Sequence, residues 1–119
     1  MSFKQQCQEI FDRYVACYQQ GDAKGCASVF AAQAEMYSPF GPPSIGRQAI
    51  EGTHAEWVAE GGEDKIITVS SAGRDGELGW CLAEFREGTT GEGVSLNVLE
   101  RQPDGRWLIT QCSLNESHR

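Results

Sequence analysis

Four polar residues lie in stretches where the periodicity of the sequence predicts buried, apolar faces: Tyr14, His54, Glu84 and Asn97. Tyrosine and asparagine side chains can donate hydrogen bonds to a developing oxyanion, whereas histidine and glutamate can move protons. A carboxyl group beside a tryptophan in a poorly solvated site has a raised pKa, which suits proton transfer near neutral pH. Each residue alone could be an isolated core polar group or a strand-edge charge. Because four of them coincide, we treat all four as candidate catalytic residues.

Three helices are predicted in the first half of the chain. Apolar side chains recur every three or four residues from Phe3 to Tyr18, which places Tyr14 in the buried stripe of the first helix. Capping chemistry predicts the boundaries of these helices. The first begins after Ser2, paired with Gln5, and ends at Gly21, and the second begins after Asp22. The third begins after Ser44 or Gly46 and ends at Gly61-Gly62. The remaining inner-face residues are expected to be Cys26, Val29 and Phe30 in the second helix, and Ile50, His54, Trp57 and Val58 in the third.

Strict alternation in the second half predicts strands. We expect them at residues 65–72, 78–86, 94–101 and 106–114, after a short strand at 35–38 and a proline-rich segment, 39–43, without regular structure. The glycines of 88–91 fit a hairpin turn better than a phosphate-binding loop. The order predicts one α+β domain over residues 1–119, with helices on one face of an antiparallel sheet. Within this sheet Glu84 shares a face with Trp80 and Leu82, and Asn97 with Ser95 and Leu99.

Composition limits the kinds of partner. The 119 residues carry a formal net charge of −7, which repels phosphate backbones and anionic lipids, so neither nucleic acid nor a membrane is an expected partner. The first residues do not form a signal peptide, and no apolar run is long enough to span a membrane.

Five cysteines without a CxxC pair predict reduced, packed thiols in the cytoplasm. Cys7 and Cys17 lie too far apart along one helix to share an ion, and His118 lies in the tail, so we expect no metal and no cofactor.

A set of short segments resembles the N-terminal half of the ketosteroid isomerases. They are Arg13-Tyr14-Val15-Ala16, Gly21-Asp22-x-x-Gly25, Phe30-Ala31 with Ala34, Pro39-x-Gly41 and Gly46-x-x-Ala49-Ile50. The isomerases belong, with the SnoaL-like polyketide cyclases, to the nuclear-transport-factor-two-like superfamily. The resemblance covers about residues 12 to 50. It implies a cystatin-like cone, in which three helices and a curved antiparallel sheet enclose a deep apolar pocket, and a homodimer formed through the sheet.

The resemblance also implies roles for single residues. Tyr14 matches the tyrosine that donates a hydrogen bond to the substrate oxyanion, His54 matches a second tyrosine that supports the first, and Asn97 matches the other oxyanion donor. The general base of the isomerases is an aspartate, and here Ser38 stands in its place. A serine hydroxyl cannot abstract a carbon-bound proton unaided, so Glu84 or His54 becomes the candidate acid–base group.

Three functions remain open at this point. The first is an enzyme that acts on a small hydrophobic, carbonyl-like substrate by acid–base chemistry, with these further substrate-binding residues: Tyr18, Ser38, Phe40, Trp57, Trp80, Cys112 and Leu114. The second is a non-catalytic protein that binds a hydrophobic small molecule. The third is a dimerisation module with a filled interior, suggested by apolar residues on both faces of the last strand, at Trp107, Leu108 and Ile109. Tyr14 and Glu84 in one cavity would favour the first two, whereas a filled interior or a solvent-facing Glu84 would favour the third.

Overall fold

A computed structural model describes residues 1–87 and 91–117 of the chain. The elements follow in the order α1 (Phe3–Gln19), α2 (Ala23–Ala27), β1 (Phe30–Ser38), β2 (Gly41–Ile45), α3 (Arg47–Ala59), β3 (Lys65–Asp75), β4 (Leu78–Glu87), β5 (Gly91–Arg101) and β6 (Trp107–Glu116). The expected α+β class is confirmed, with helices packed on a curved six-stranded sheet. The hairpin turn expected at 88–91 falls mostly outside the described residues, and His118 lies outside them altogether.

Capping residues begin and end α1 where the sequence predicts. The backbone N–H of Gln5 donates to the Ser2 hydroxyl at 3.1 Å, and the N–H of Ser2 donates to the Gln5 side-chain oxygen at 2.9 Å. These two bonds satisfy N–H groups that the first turn of a helix leaves without an intrahelical acceptor. At the other end Gly21 has a φ of +73°, a conformation that glycine adopts without a steric penalty and that ends the helix.

The second helix is shorter than expected. The N–H of Gly25 donates to the Asp22 carboxylate at 2.9 Å, as predicted for a cap, but α2 ends at Ala27. The prediction that Val29 and Phe30 lie on its inner face is therefore wrong, because both follow the helix and Phe30 begins β1. Both side chains are nevertheless buried. They are buried because the chain enters the sheet at this point, and not because they lie on the inner face of a helix.

The sheet has the order β2-β1-β6-β5-β4-β3 and is mixed. Neighbouring strands are antiparallel except β1 and β6, which run parallel, with Met36 opposite Cys112. The expectation of a wholly antiparallel sheet is therefore wrong at this one pair. Each strand from β3 to β5 pairs antiparallel with the next strand along the chain, whereas β1 and β6 are separated in the sequence by β2, α3 and three further strands. The relative direction of β1 and β6 is therefore not fixed by a turn.

The proline-rich segment forms a strand, contrary to expectation. β2 pairs antiparallel with β1, with Ser44 opposite Met36 and Gly41 opposite Ser38. It lies at the edge of the sheet and has only one neighbouring strand. Pro42 and Pro43 lack a backbone N–H group, and a strand can tolerate this at an edge because no second strand requires a donor.

A glutamine side chain joins α1 to the opposite edge of the sheet. Nε2 of Gln8 donates to the carbonyl of Ile67 at 3.0 Å, and the N–H of Val69 donates to Oε1 of Gln8 at 2.8 Å. The amide thus pairs with two backbone groups of the edge strand β3. Immediately afterwards the pairing of β3 with β4 shifts by one residue, between Val69 and Ser71. This β-bulge determines which side chains of β3 and β4 lie opposite each other.

Candidate functional site

A cavity of about 360 Å³ lies between the helices α1 and α3 and the inner face of the sheet. Its walls are largely aromatic, and seven rings line it: Phe11, Tyr14, Tyr18, Phe30, Phe40, Trp57 and Phe85. Polar groups are few and are contributed by different elements, among them Asn97 and Ser95 of β5 and Lys65 of β3. A mostly apolar cavity with a few convergent polar groups is typical of small-molecule sites.

A chain of hydrogen bonds runs from Tyr14 through His54 to the backbone of α3. The Tyr14 hydroxyl lies 2.7 Å from Nε2 of His54, and Nδ1 of the same ring lies 2.8 Å from the carbonyl oxygen of Ile50. Because a carbonyl oxygen only accepts, Nδ1 must donate to Ile50. A neutral imidazole then has a lone pair at Nε2, so the Tyr14 hydroxyl donates to His54.

Burial keeps His54 neutral. The side chain is fully buried, and this burial lowers its pKa from 6.5 to about 4, although the bond to the Ile50 carbonyl opposes the shift. Burial also raises the pKa of Tyr14 well above its ordinary value, so the hydroxyl keeps its proton. With that proton directed to His54, Tyr14 offers a ligand an acceptor, whereas the resemblance implied a donor. His54 uses both nitrogens and does not line the cavity, so it acts on a ligand only through Tyr14.

Asn97 has a buried acceptor. Its side chain is fully buried, and Nδ2 donates to the hydroxyl of Ser95 at 3.0 Å. Oδ1 is buried and has no hydrogen-bond partner among residues 1–87 and 91–117. A buried polar atom without a partner costs free energy, about 1–3 kcal/mol. Because Oδ1 is enclosed by protein atoms, it does not itself present an acceptor to the cavity.

Glu84 lies outside the cavity, which corrects the prediction that it reaches the site. On β4 the odd-numbered residues Cys81 and Phe85 are buried, whereas Glu84 is exposed and pairs with Thr68 and Val94 on the neighbouring strands. The alternation correctly grouped Glu84 with Trp80, but it put the pair on the wrong side of the sheet. Trp80 is 43% exposed and does not line the cavity either.

The other predicted wall residues divide into two groups. Five line the cavity: Tyr18, Phe40, Trp57, Cys112 and Leu114. Ser38 does not. Its hydroxyl accepts a hydrogen bond from the N–H of Phe40 at 3.0 Å and so stabilises the β1–β2 turn. The structure therefore does not place Ser38 in the cavity wall, where the prediction put it.

The sequence reasoning missed an ion pair in the cavity wall. Nζ of Lys65 lies 3.8 Å from Oε1 of Glu87, and the Lys65 side chain is only 12% exposed. The same Nζ lies over the ring of Tyr18, 4.3 Å from its centre, and 5.9 Å from the centre of the Phe85 ring. Burial lowers the pKa of Lys65, and the Glu87 carboxylate opposes this shift. Lys65 and Glu87 both line the cavity.

Carboxylates outnumber ammonium groups around this cavity. Glu56 of α3 and Glu60, the residue after this helix, are exposed at the edge of the cavity and join Glu87. Lys65 is the lining residue with a positive charge among those described. The site therefore has a net negative charge, which disfavours an anionic ligand.

Solved structures with the same architecture establish the fold. A domain of unknown function from Nostoc punctiforme, with a cystatin-like fold, superposes with a TM-score of 0.79 at 15% identity and covers 93% of this chain and 75% of its own. The fold is cystatin-like. A ketosteroid isomerase-like protein from Erwinia carotovora atroseptica gives a TM-score of 0.76 at 11% identity, covering 94% of both chains. A protein of unknown function from Mycobacterium tuberculosis gives 0.78 at 18% identity, covering 96% of this chain and 71% of its own.

These structural similarities establish the fold but do not indicate a specific activity, since one fold hosts many unrelated sites. No protein-family model matches the sequence, and no protein of curated function is significantly similar to it. The resemblance to ketosteroid isomerases and SnoaL-like cyclases therefore stays a prediction at the level of the family. Within the described residues, none of the helices has the length and apolar composition needed to cross a membrane.

Proposed function

We propose that this protein binds a small, largely apolar molecule in the aromatic cavity, with a hydroxyl or N–H group of the ligand at the Tyr14 end. The observation that carries the proposal is the direction of the hydrogen bond from Tyr14 to His54, at 2.7 Å. Since the Tyr14 proton is used inside the protein, a ligand that forms a hydrogen bond with Tyr14 must supply the donor.

The dimensions of the cavity agree with this proposal. Its volume of about 360 Å³ is in the lower part of the range for small-molecule sites, which is about 300–1,000 Å³. An open cavity argues against a dimerisation module with a filled interior, even though Glu84 faces solvent. The seven aromatic rings favour a flat or cyclic ligand, because rings pack well against rings.

Acid–base catalysis on a hydrophobic carbonyl compound is a second candidate function. It is favoured by one observation, the Lys65–Glu87 pair in the wall of the same cavity. These two residues take the place of Glu84 and His54 as proton-transfer groups, since Glu84 is outside the cavity and both nitrogens of His54 are occupied.

We also propose that the chain forms a homodimer through the outer face of the sheet. Exposed apolar side chains lie near one another there on two adjacent strands: Leu78 and Trp80 of β4, and Leu96 of β5. An apolar face of this kind is typical of a subunit interface. Trp107, Leu108 and Ile109 are already buried within the chain, so the proposed interface lies on β4 and β5 and not on the start of β6.

A matched pair of ligands tests the binding proposal. A naphthol and its methyl ether have the same rings, but only the naphthol can donate a hydrogen bond. We expect calorimetry to show a preference of about tenfold for the naphthol, equivalent to ~1.4 kcal/mol. The preference should disappear in Tyr14→Phe and persist in the control Tyr37→Phe, whose ring is exposed outside the cavity. Equal affinity for the two ligands, or no binding of either, would contradict the proposal. Native mass spectrometry of the protein purified from its own host would identify a retained ligand.

A further inference from the structure

We propose that the Lys65 amine captures the carbonyl group of an aldehyde or ketone ligand as an imine inside the aromatic cavity. The inference rests on the proposed function, because the carbonyl compound must first enter the cavity. It goes further in naming the reactive group of the ligand and the residue that bonds to it. Its basis is the position of one side chain: Lys65 begins β3, lines the cavity and is only 12% exposed.

The surroundings of Nζ favour a neutral amine more than those of an ordinary surface lysine. The aromatic rings of Tyr18 and Phe85 lie 4.3 and 5.9 Å from it, and they replace the water that would solvate an ammonium group. The contact with Glu87 is 3.8 Å long, beyond hydrogen-bond distance, so it compensates the lost solvation only in part. A lysine amine desolvated in an apolar pocket is a recognised nucleophile toward carbonyl carbon.

The chemistry balances with the groups at hand. The neutral amine attacks the carbonyl carbon, the C–N bond forms, and the C=O electron pair moves to oxygen. The nitrogen then loses a proton to the Glu87 carboxylate, and Glu87 passes this proton to the oxygen, which gives a carbinolamine. The second amine proton moves to the hydroxyl group by the same route, and the hydroxyl group leaves as water while the C=N bond forms. One amine and one carbonyl yield one imine and one water, with no change of oxidation state.

The charges of the cavity are compatible with the product. After the imine takes up a proton from solvent it carries one positive charge, as the ammonium group does, and it stays beside Glu87 and over the Tyr18 ring. The ring and the nearby carboxylates stabilise both cations, so they do not oppose the reaction, and the burial of Nζ is what favours the neutral amine that attacks.

The chain contains its own controls. It has three lysines, and the other two, Lys4 and Lys24, are exposed on α1 and α2. An exposed lysine is protonated near neutral pH and reacts slowly with carbonyl compounds. Selective reaction at Lys65 therefore reports the cavity and not the general reactivity of amines.

The test is reductive trapping with naphthaldehyde and cyanoborohydride at neutral pH, read by intact mass and peptide mapping. We expect one adduct per chain, located on Lys65 and formed at least tenfold faster than any adduct on Lys4 or Lys24. Naphthol should compete with the labelling. Lys65→Arg, which keeps the positive charge, should abolish the rapid adduct.

The outcomes separate this inference from the proposed function. If naphthol binds with the expected preference but Lys65 is labelled no faster than Lys24, the imine is wrong and the binding proposal stands. If naphthol does not bind and labelling is evenly distributed, both are wrong. The comparison among lysines within the unmodified protein decides the matter even if Lys65→Arg fails to fold.

Discussion

The hydroxyl of Tyr14 donates to Nε2 of His54 across 2.7 Å, and this one contact decides what the cavity can recognise. The ring of His54 is oriented by the carbonyl of Ile50, one helical turn earlier on α3. A backbone carbonyl therefore determines the tautomer of a histidine, the histidine determines the direction of a tyrosine proton, and the tyrosine presents an acceptor to the ligand.

Replacing His54 by phenylalanine should reverse the hydrogen-bond preference of the site. The phenyl ring fills most of the same volume but cannot accept, so the Tyr14 hydroxyl becomes free to donate to a ligand. We expect the naphthol to lose its advantage over the methyl ether, measured by calorimetry. The free energy of unfolding should fall by about 1–3 kcal/mol, because a buried hydrogen bond is lost. A variant that still prefers naphthol would show that Tyr14 does not direct its proton to His54.

The stability of the protein should fall as pH is lowered from 6.5 to 4. His54 has a pKa of about 4 in the folded protein and 6.5 as the reference value for the unfolded chain, so the unfolded state binds a proton first. This contribution is complete above pH 6.5 and is lost by about pH 4, amounting to roughly 3 kcal/mol. Urea unfolding at several pH values should show a smaller dependence in His54→Phe. An identical pH profile in both proteins would contradict the low pKa.

Gln8 should contribute more to stability than an average polar residue on α1. Its side chain makes two hydrogen bonds to the backbone of β3, with Ile67 and Val69. We expect Gln8→Ala to lower the free energy of unfolding by about 1–3 kcal/mol, since both backbone groups lose their partner. Gln19→Ala is the matched control, because Gln19 makes one exposed bond from α1 to Glu63. Equal losses in the two variants would show that Gln8 does not join α1 to the sheet.

Removing the charge of Glu87 should move the pH profile of Lys65 labelling to lower pH. Glu87 raises the pKa of Lys65, so without its charge the neutral amine forms at lower pH. Tyr18, Glu56 and Glu60 also face the cavity and are left unchanged.

Glu84→Gln is the matched control for Glu87→Gln, because both residues lie on β4 but on opposite faces of the sheet. We expect the profile of Glu84→Gln to coincide with that of the parent protein. The measurement is the rate of naphthaldehyde adduct formation on Lys65 as a function of pH. A shift of equal size in both variants would contradict the assignment of Glu87 to the cavity and of Glu84 to the outer face.

The outer face of the sheet should hold two copies of the chain together. Replacing the exposed Trp80 by glutamate puts a charge at the centre of the apolar cluster, and we expect sedimentation to change from dimer to monomer. Tyr37→Glu is the control, since Tyr37 is exposed to a similar extent on β1, away from the cluster. A parent protein that sediments as a monomer would contradict the interface.

Local patterns in the sequence predicted those parts of the structure that depend on neighbouring residues. The capping box of Ser2 and Gln5 and the stop at Gly21 predicted the limits of α1, because caps act within a few residues of a helix end. Alternation correctly predicted that Trp80, Leu82 and Glu84 share a face. Local rules failed at Pro42 and Pro43, where only a position at the edge of the sheet permits a strand.

The candidate site depended on relationships that alternation does not contain. A period of two groups residues by face, but only the packing of α1 and α3 decides which face is inside, and this placed Glu84 in solvent. Counted from the β3–β4 turn, an uninterrupted register would pair Lys65 with residue 88. The bulge between Val69 and Ser71 shifts the pairing by one residue, so that Lys65 lies opposite Glu87.

The sequence by itself therefore determined the limits of α1, the positions of β3 to β6 and the sets of residues that share a face, because these follow from contacts between close neighbours along the chain. Only the tertiary structure decided that Tyr14 meets His54, forty residues away, and that Lys65 meets Glu87 against the ring of Tyr18. The contact of Tyr14 with His54 depends on the placement of α3 over the sheet, and the contact of Lys65 with Glu87 depends on one shift of strand register. Both features are determined by packing across the whole molecule.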